Sequence, residues 1–250
     1  MKQNDFQNFN RKGWNELIKN NKEFSNTSLP EYGPFMPNEK ELKLFTDVKG
    51  KKVLELGCAS GKSLKYLSNS GAQEVWGIDI SEEQINKAKE LKINNSFFFV
   101  SPMEKNPGLP LDYFDYVLSL YSIGFSSNPI DTIKLSCSYL KQGGKFILSW
   151  THPFFNCLGI EENKLIINHS YNDENATIIT KGPDKIELLQ YNLKISTLIN
   201  ELISLGMEID KLIEQNPTEI NGIGSYQSPY FDKRKLVASP TTLIIVAHKK

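Results

Sequence analysis

Two carboxylates and a glycine-rich turn lie near one another in the chain. VLELGCASG (53–61) places Glu55 within a short apolar run, and Gly57 and Gly61 flank Ala59 in the pattern E-x-G-x-A-x-G. Such a turn lets backbone N–H groups approach a ligand that side chains would otherwise obstruct. Further on, EVWGIDI (74–80) carries a second acid, Asp79. In doubly wound folds an acid at that place accepts hydrogen bonds from ribose hydroxyls. The bland readings are that the turn only packs a helix on a strand, and that Asp79 only caps the next helix, a task Ser81 can also perform. Turn, strand and acid together point to a nucleoside ligand.

The remaining chemistry-bearing residues follow later strands. Tyr121 comes after FDYVLSL (114–120), and His152 lies in SWTHPFF (149–155). Open α/β sheets bind ligands at the carboxyl ends of their strands. His152 is therefore the first candidate for a base or polar substrate contact, with Tyr121 as the second catalytic candidate. A histidine hydrogen-bonded in the turn before Pro153 is the competing reading. His169 and His248 read as structural or exposed. Aromatics are dense outside the sheet: Phe6, Phe9, Trp14, Tyr32, Phe35, Phe154, Phe155, Tyr171, Tyr226, Tyr230 and Phe231. Most read as packing. Tyr32 and Phe35, set among Gly33 and two prolines, are the candidates for a substrate-pocket wall under a lid formed by residues 1–37.

These groups must be held by an alternation of strands and helices. KKVLELG (51–57), EVWGIDI (74–80), SFFFV (96–100), FDYVLSL (114–120) and KFILSW (145–150) read as strands. Leu64 and Leu67 begin one helical face. Ser81 reads as the N-cap of a second helix whose buried stripe is Ile85, Ala88 and Leu91. Ile130, Ile133, Cys137 and Leu140 recur at helical spacing before Gly143-Gly144. Alternation at this pitch implies right-handed crossovers and a parallel sheet. GMEIDKLIE (206–214) and TTLIIVAHK (241–249) supply a sixth and a seventh strand, after a helix marked by Ile195, Leu198, Ile199 and Leu202. Residues 151–190 interrupt the alternation, and KLIINHSY (164–171) and ATIITKG (176–182) are expected to pair as a hairpin. The chain reads as a single domain over 1–250: an N-terminal helical cap (1–50), a cofactor-binding core (51–150), an insertion (151–190) and the C-terminal part of the sheet (191–250).

The ordered motifs resemble the class I S-adenosylmethionine-dependent methyltransferases, in particular their ubiquinone-biosynthesis-like (type 11) group. VLELGCASG is similar to the family's first motif and VWGIDIS (75–81) to its second. FVSPMEKNPGLPLDYFDYVLS (99–119) resembles the adenine-binding segment with the fourth strand, and LKQGGKFILSW (140–150) the passage into the fifth. The resemblance covers most of the chain. It implies a Rossmann-like α/β fold: a seven-stranded, mostly parallel sheet with an antiparallel last strand and helices on both faces. S-adenosylmethionine is the implied cofactor. By resemblance, Glu55 and the turn at Gly57, Cys58, Ala59 and Gly61 hold its methionyl end. Asp79 holds the ribose, Ile80 and Met103 enclose the adenine, and Leu120 and Tyr121 line the opening near the sulfonium. Two departures are visible: Ala59 replaces the middle glycine of the turn, and Pro102 replaces an acid before Met103, leaving Glu104 as the nearby carboxylate.

Bulk properties narrow the function. The 250 residues are 39% hydrophobic and 23% charged, and the 29 basic and 29 acidic side chains cancel. That balance gives no whole-molecule attraction to nucleic acid or to an anionic membrane. Lys49, Lys51 and Lys52, and Lys233, Arg234 and Lys235, read as solvated surface. The 3 cysteines, Cys58, Cys137 and Cys157, lack metal-like or disulfide-like spacing. With a polar start, they lead us to expect a cytoplasmic protein without a metal. No apolar stretch approaches the roughly 20 residues of a spanning helix. The reading is a methyltransferase acting on a small-molecule acceptor, as a monomer or homodimer. An RNA or protein methyltransferase is the alternative, although SLYSIGF (119–125) carries no Asn-Pro-Pro-Tyr-like signature. A non-catalytic S-adenosylmethionine-binding protein is another. A nicotinamide-dependent oxidoreductase is rejected, because the turn lacks G-x-G-x-x-G.

Overall fold

The computed structural model describes residues 2–20, 29–45, 47–182, 184–214 and 229–250; Tyr226, one of the aromatics singled out above, lies outside them. The first five apolar runs form strands β1 (Lys52–Leu56), β2 (Glu74–Asp79), β3 (Ser96–Val100), β4 (Phe114–Leu120) and β5 (Leu140–Thr151). Two further strands, β10 (Met207–Glu214) and β11 (Thr242–Lys249), complete a seven-stranded sheet of order β10-β11-β5-β4-β1-β2-β3. The first five are mutually parallel, and β11 runs antiparallel between β5 and β10. The expected mostly parallel sheet with an antiparallel last strand is present. Its order reverses at β1, which lies between β2 and β4. A crevice therefore opens at the carboxyl ends of those strands.

Period-two alternation sorts the core onto two faces. Val53, Val75, Leu118 and Ile244 pack with α3 (Lys62–Asn69) and α4 (Glu82–Glu90), through Leu64, Leu67 and Ile85. Leu54, Leu56, Val117 and Ile245 pack on the other face with α5 (Pro129–Tyr139) and α7 (Ile195–Ser204), through Ile133, Leu198 and Leu202. Helices thus cover both faces, as expected. No helix joins β3 to β4, and on that part of the sheet a ring cluster takes its place. Trp76 stacks on Phe97 at 4.2 Å between centroids and on Phe99 at 5.9 Å, and meets Tyr113 edge-on at 6.1 Å. Among the described residues no helix is long and apolar enough to cross a membrane.

Residues 151–191 differ from the expectation. The segments 164–171 and 176–182 do not pair with each other. Instead β6 (Leu158–Glu161) pairs with β7 (Lys164–Ile167), and β8 (Ala176–Lys181) with β9 (Ile186–Tyr191). The cause of the first pairing is local: Glu162 and Asn163 both take positive φ, 46° and 63°, as a tight two-residue hairpin turn requires. The late charge run is also only partly solvated. Asp232 caps α8 (Lys233–Ala238) and pairs with Arg234 at 2.7 Å. Lys235 is buried, with Nζ 4.3 Å from the Phe155 ring centroid.

Candidate active site

The crevice at the switch point opens into a cavity of about 1010 Å³. Ligand pockets commonly span roughly 300–1,000 Å³, so this one has room for a nucleoside and a second molecule. Its wall includes Glu55, Gly57, Cys58, Ala59, Asp79, Ile80, Met103, Glu104, Leu120 and Tyr121. Ten residues expected from the first two strands, the adenine segment and the end of β4 thus meet in one space. Gly61 is not on that wall. It begins α3 in the left-handed region, where an added Cβ would come 3.0 Å from Ala88 Cβ.

The turn is held by the acid opposite it. Asp79 Oδ2 accepts from Ala59 N at 2.9 Å, and Oδ1 accepts from Ser81 N at 2.8 Å. The same carboxylate therefore braces the turn and begins α4, while Ser81 Oγ caps that helix through Gln84 N at 3.2 Å. Gly57 sits at φ 71°, and a Cβ there would meet Ser122 Cβ at 2.4 Å. Ser122 Oγ donates to Leu56 O at 2.7 Å, so this close approach is itself fixed. Glycine is required at position 57 on both counts.

Glu55 is 3% exposed, and its Oε2 has no partner within the protein, although that oxygen is fully buried. Burial first, and then the nearby Asp79 charge, push its carboxyl up to about 8. Asp79 is pushed up to about 6 by burial, against the pull of three backbone N–H donors. A buried acid with an unpartnered oxygen is costly unless something binds it. The pair fits a cationic ligand.

Two expected substrate contacts and the candidate base are corrected. His152 is not on the cavity wall. Its Nδ1 accepts from Phe154 N at 3.3 Å, which caps α6 (Pro153–Cys157) and leaves Nε2–H to donate to Glu214 Oε1 at 2.9 Å. Burial lowers its pKa, with Glu214 working in the opposite sense. The structural reading of a histidine in the turn before Pro153 prevails. His152→Ala is expected to destabilise the fold by about 1 kcal/mol through the lost cap, with turnover per folded molecule unchanged. Thermal unfolding beside a methyl-transfer assay checks this, and a tenfold loss of turnover would restore the base role.

Tyr32 is wholly buried in the core, and its hydroxyl donates to Glu39, whose carboxylate also accepts from Leu44 N at 3.1 Å and Phe45 N at 2.9 Å. Its chain neighbours Glu31, Gly33 and Pro34 reach the wall instead. Phe35 is not a lining residue either. Its ring braces Phe231, which is, at 5.2 Å between centroids.

Tyr121 does reach the cavity. It takes φ 54°, a strained setting for a non-glycine residue, held by Ser149 O and Oγ, each 3.0 Å from Tyr121 N. Thr151 Oγ1 donates to its hydroxyl at 2.7 Å.

Part of the expected 1–37 lid stands over the cavity as its roof, but the share of the inserted hairpin in that roof was not legible beforehand. The roof includes Gln7, Trp14 and Ile18 from α1 (Gln3–Lys19), and Ile178, Ile179 and Lys181 from β8. Three amides tie α1 down. Gln7 Nε2 donates to Glu104 Oε1 at 2.7 Å. Asn10 Nδ2 donates to Phe125 O at 3.0 Å and Leu189 O at 2.9 Å, while its Oδ1 accepts from Leu189 N at 2.8 Å. Ser81 Oγ donates to Asn15 Oδ1 at 2.7 Å. Glu104 also accepts from Ser126 Oγ at 3.0 Å and from Ser127, so its carboxylate joins the segment after β3 to α1. Asparagines inside a helix are poor helix formers that call for partners elsewhere. That signal at Asn10 and Asn15 was available in the sequence.

Residues 35–181 match the family model described as a methyltransferase domain. A solved structure assigned as an S-adenosylmethionine-dependent methyltransferase of Listeria monocytogenes superposes with a TM-score of 0.65 at 27% identity, covering 85% of this chain and 97% of that one. The aklanonic acid methyltransferase of a Streptomyces species is 32% identical over 43% of this chain and 50% of its own length. A tRNA U34 carboxymethyltransferase of Idiomarina loihiensis is 28% identical over 41% of this chain and 33% of its own. The match thus spans half of the first of these two enzymes and a third of the second.

Proposed function

The chain belongs to the methyltransferase-domain family, and from that premise we propose that it transfers the methyl group of S-adenosylmethionine to a small-molecule acceptor held in the same cavity. The observation that carries the reading is the buried Glu55–Asp79 pair beside the glycine turn. The charge of Asp79, and the unpartnered oxygen of a Glu55 that a bound cation would ionise, fit a ligand with cationic groups and ribose hydroxyls. S-adenosylmethionine, when bound, supplies a methyl carbon activated by its sulfonium. Glu55 and the turn hold the methionyl end, Asp79 the ribose, and Ile80 and Met103 the adenine.

The chain's own contribution beyond binding is alignment and exclusion of water. Aligning a nucleophile against an electrophile can supply roughly 7–11 kcal/mol of acceleration. Tyr121, aimed by its left-handed backbone, lines the acceptor end with Tyr230 and Phe231. The α1 roof, latched through Gln7, Asn10 and Asn15, excludes water during transfer. A cavity with an aromatic wall and a protein of zero formal charge favour a small acceptor over a tRNA.

The test is calorimetry with S-adenosylhomocysteine, together with transfer of labelled methyl from S-adenosylmethionine to pooled small metabolites and to tRNA. Binding with transfer to a metabolite supports the reading. Transfer to tRNA alone overturns the acceptor class, tight binding without any transfer favours a non-catalytic role, and preference for NAD overturns the cofactor.

The roof carries its own prediction. Asn10→Ala leaves Leu189 N–H and two carbonyls without their partner, at a cost of about 1–3 kcal/mol per orphaned buried group. S-adenosylhomocysteine is expected to dissociate roughly tenfold faster or more from this variant. Stopped-flow measurement of an unchanged off-rate would show that α1 does not gate the cofactor.

A further inference from the structure

We infer that Lys181 sets the enzyme's acceptor specificity by binding a carboxylate carried on a flat, apolar acceptor. This rests on the small-molecule methyl-transfer reading and names the substrate class of the same site. Lys181 ends β8, in the hairpin inserted between β5 and α7, and is the only charged residue that α1 and this hairpin contribute to the cavity wall among the described residues. Its Nζ lies 5.3 Å from the Trp14 ring centroid and 4.9 Å from that of Phe125, so two ring faces attract and orient the cation. Phe125 in turn meets Trp150 edge-on at 5.1 Å, and Trp150 meets Tyr121 at 5.3 Å. Trp150 is buried in the core behind these two rings, and Tyr121, Phe125 and Trp14 present an aromatic lining between the carboxyl end of β4 and the ammonium of Lys181.

Charged side chains stand at several points of the wall. Near the glycine turn Asp79 is ionised, and Glu55 becomes so when a cation binds, with Lys62 on the same wall. Lys181 is the cation of the roof. It is half-buried, and burial lowers its pKa to about 8, which leaves it mostly charged at neutral pH and partly desolvated. A carboxylate brought beside it gains a charge-assisted hydrogen bond and restores solvation lost to burial. The Trp14, Phe125 and Tyr121 rings and Ile179, all on the cavity wall, then contact the apolar body of the same molecule.

The test uses protein saturated with S-adenosylhomocysteine and a graded probe series of benzoate, 2-naphthoate and 9-anthracenecarboxylate, each beside its neutral carboxamide. Binding is followed by tryptophan fluorescence and calorimetry. The best carboxylate is expected to bind roughly tenfold or more tighter than its amide. Lys181→Met should abolish that preference with amide affinity unchanged, and Lys181→Arg should keep it. Failure of every carboxylate to bind, equal affinity for acid and amide, or a preference that survives in Lys181→Met overturns the inference. S-adenosylhomocysteine affinity, measured first in each variant, separates the two readings. Its absence in the wild-type protein overturns the cofactor assignment itself, whereas its retention in Lys181→Met shows that the variant is folded and that only acceptor recognition has changed.

Discussion

Asp79→Ala is expected to weaken S-adenosylhomocysteine binding by roughly a hundredfold or more. Two losses add. The ribose hydroxyls lose a charged acceptor, and each such hydrogen bond is worth about 1.5–3 kcal/mol. The N–H groups of Ala59 and Ser81, bonded to this carboxylate at 2.9 and 2.8 Å, lose their partner, and the turn loses its brace. The two effects separate in a double cycle with the 2′-deoxyribose analogue of the ligand. If Asp79 touches the ribose, the variant discriminates less between ligand and analogue than the wild-type protein does. Calorimetry checks both quantities, with circular dichroism to establish that the variant is folded. Affinity within threefold of wild type would remove Asp79 from the binding site.

Glu55 makes cofactor binding pH-dependent. Its carboxyl stands at about 8 in the free protein, so at neutral pH it is mostly protonated. A cationic methionyl end binds the ionised form, so binding releases a proton. Affinity therefore rises with pH up to about 8 and falls below it, by up to about tenfold per pH unit. Calorimetry in buffers of different ionisation enthalpy should count close to one proton released at pH 7. Glu55→Gln is expected to bind weakly and to lose the slope.

Stability has the opposite sign. An acid whose pKa is raised on folding, here from an ordinary 4.5 to about 8, ionises first in the unfolded chain. The folded state therefore loses stability as pH climbs through that window. Because Gln carries no charge to bury, the variant free of cofactor should be more stable than wild type at pH 8, by an amount on the order of a few kcal/mol. Its melting curves should accordingly vary less with pH. A variant that keeps the binding slope, or melts lower at pH 8, would show that Glu55 is not the titrating group.

The site illustrates a conflict between fold and function. Glu55 lies in the apolar floor of the sheet at β1, where Leu54 and Leu56 on either side are fully buried. An apolar residue there would carry no desolvation cost. Strain at Tyr121 has the same character, since a left-handed tyrosine is disfavoured yet turns its ring into the cavity. Such departures from local preference cluster where a ligand is to be bound.

The strands, the crossover helices, the glycine turn and its two acids were legible because each depends on neighbours in sequence. Apolar period, helix caps and a turn before a helix are local patterns, and parallel topology then brings Glu55, Asp79, Met103 and Tyr121 to one crevice. His152 could not be judged this way. Its role turned on Glu214 and Phe154, and the first of these reaches it only because β10 and β5 both flank β11. Tyr32 and Phe35 likewise carried the same pattern as a pocket wall, but packing placed one in the core and the other behind Phe231. The roof depended on contacts between α1 and a hairpin far along the chain, and Asn10 and Lys181 gained meaning only when those segments met. The sequence by itself determined the sheet and the glycine turn with its two acids, because short-range preferences and a repeated crossover decide both. Only the tertiary structure decided the rest of the cavity wall. There, long-range packing chooses which of many aromatic and polar side chains face the cavity, and no local preference encodes that choice.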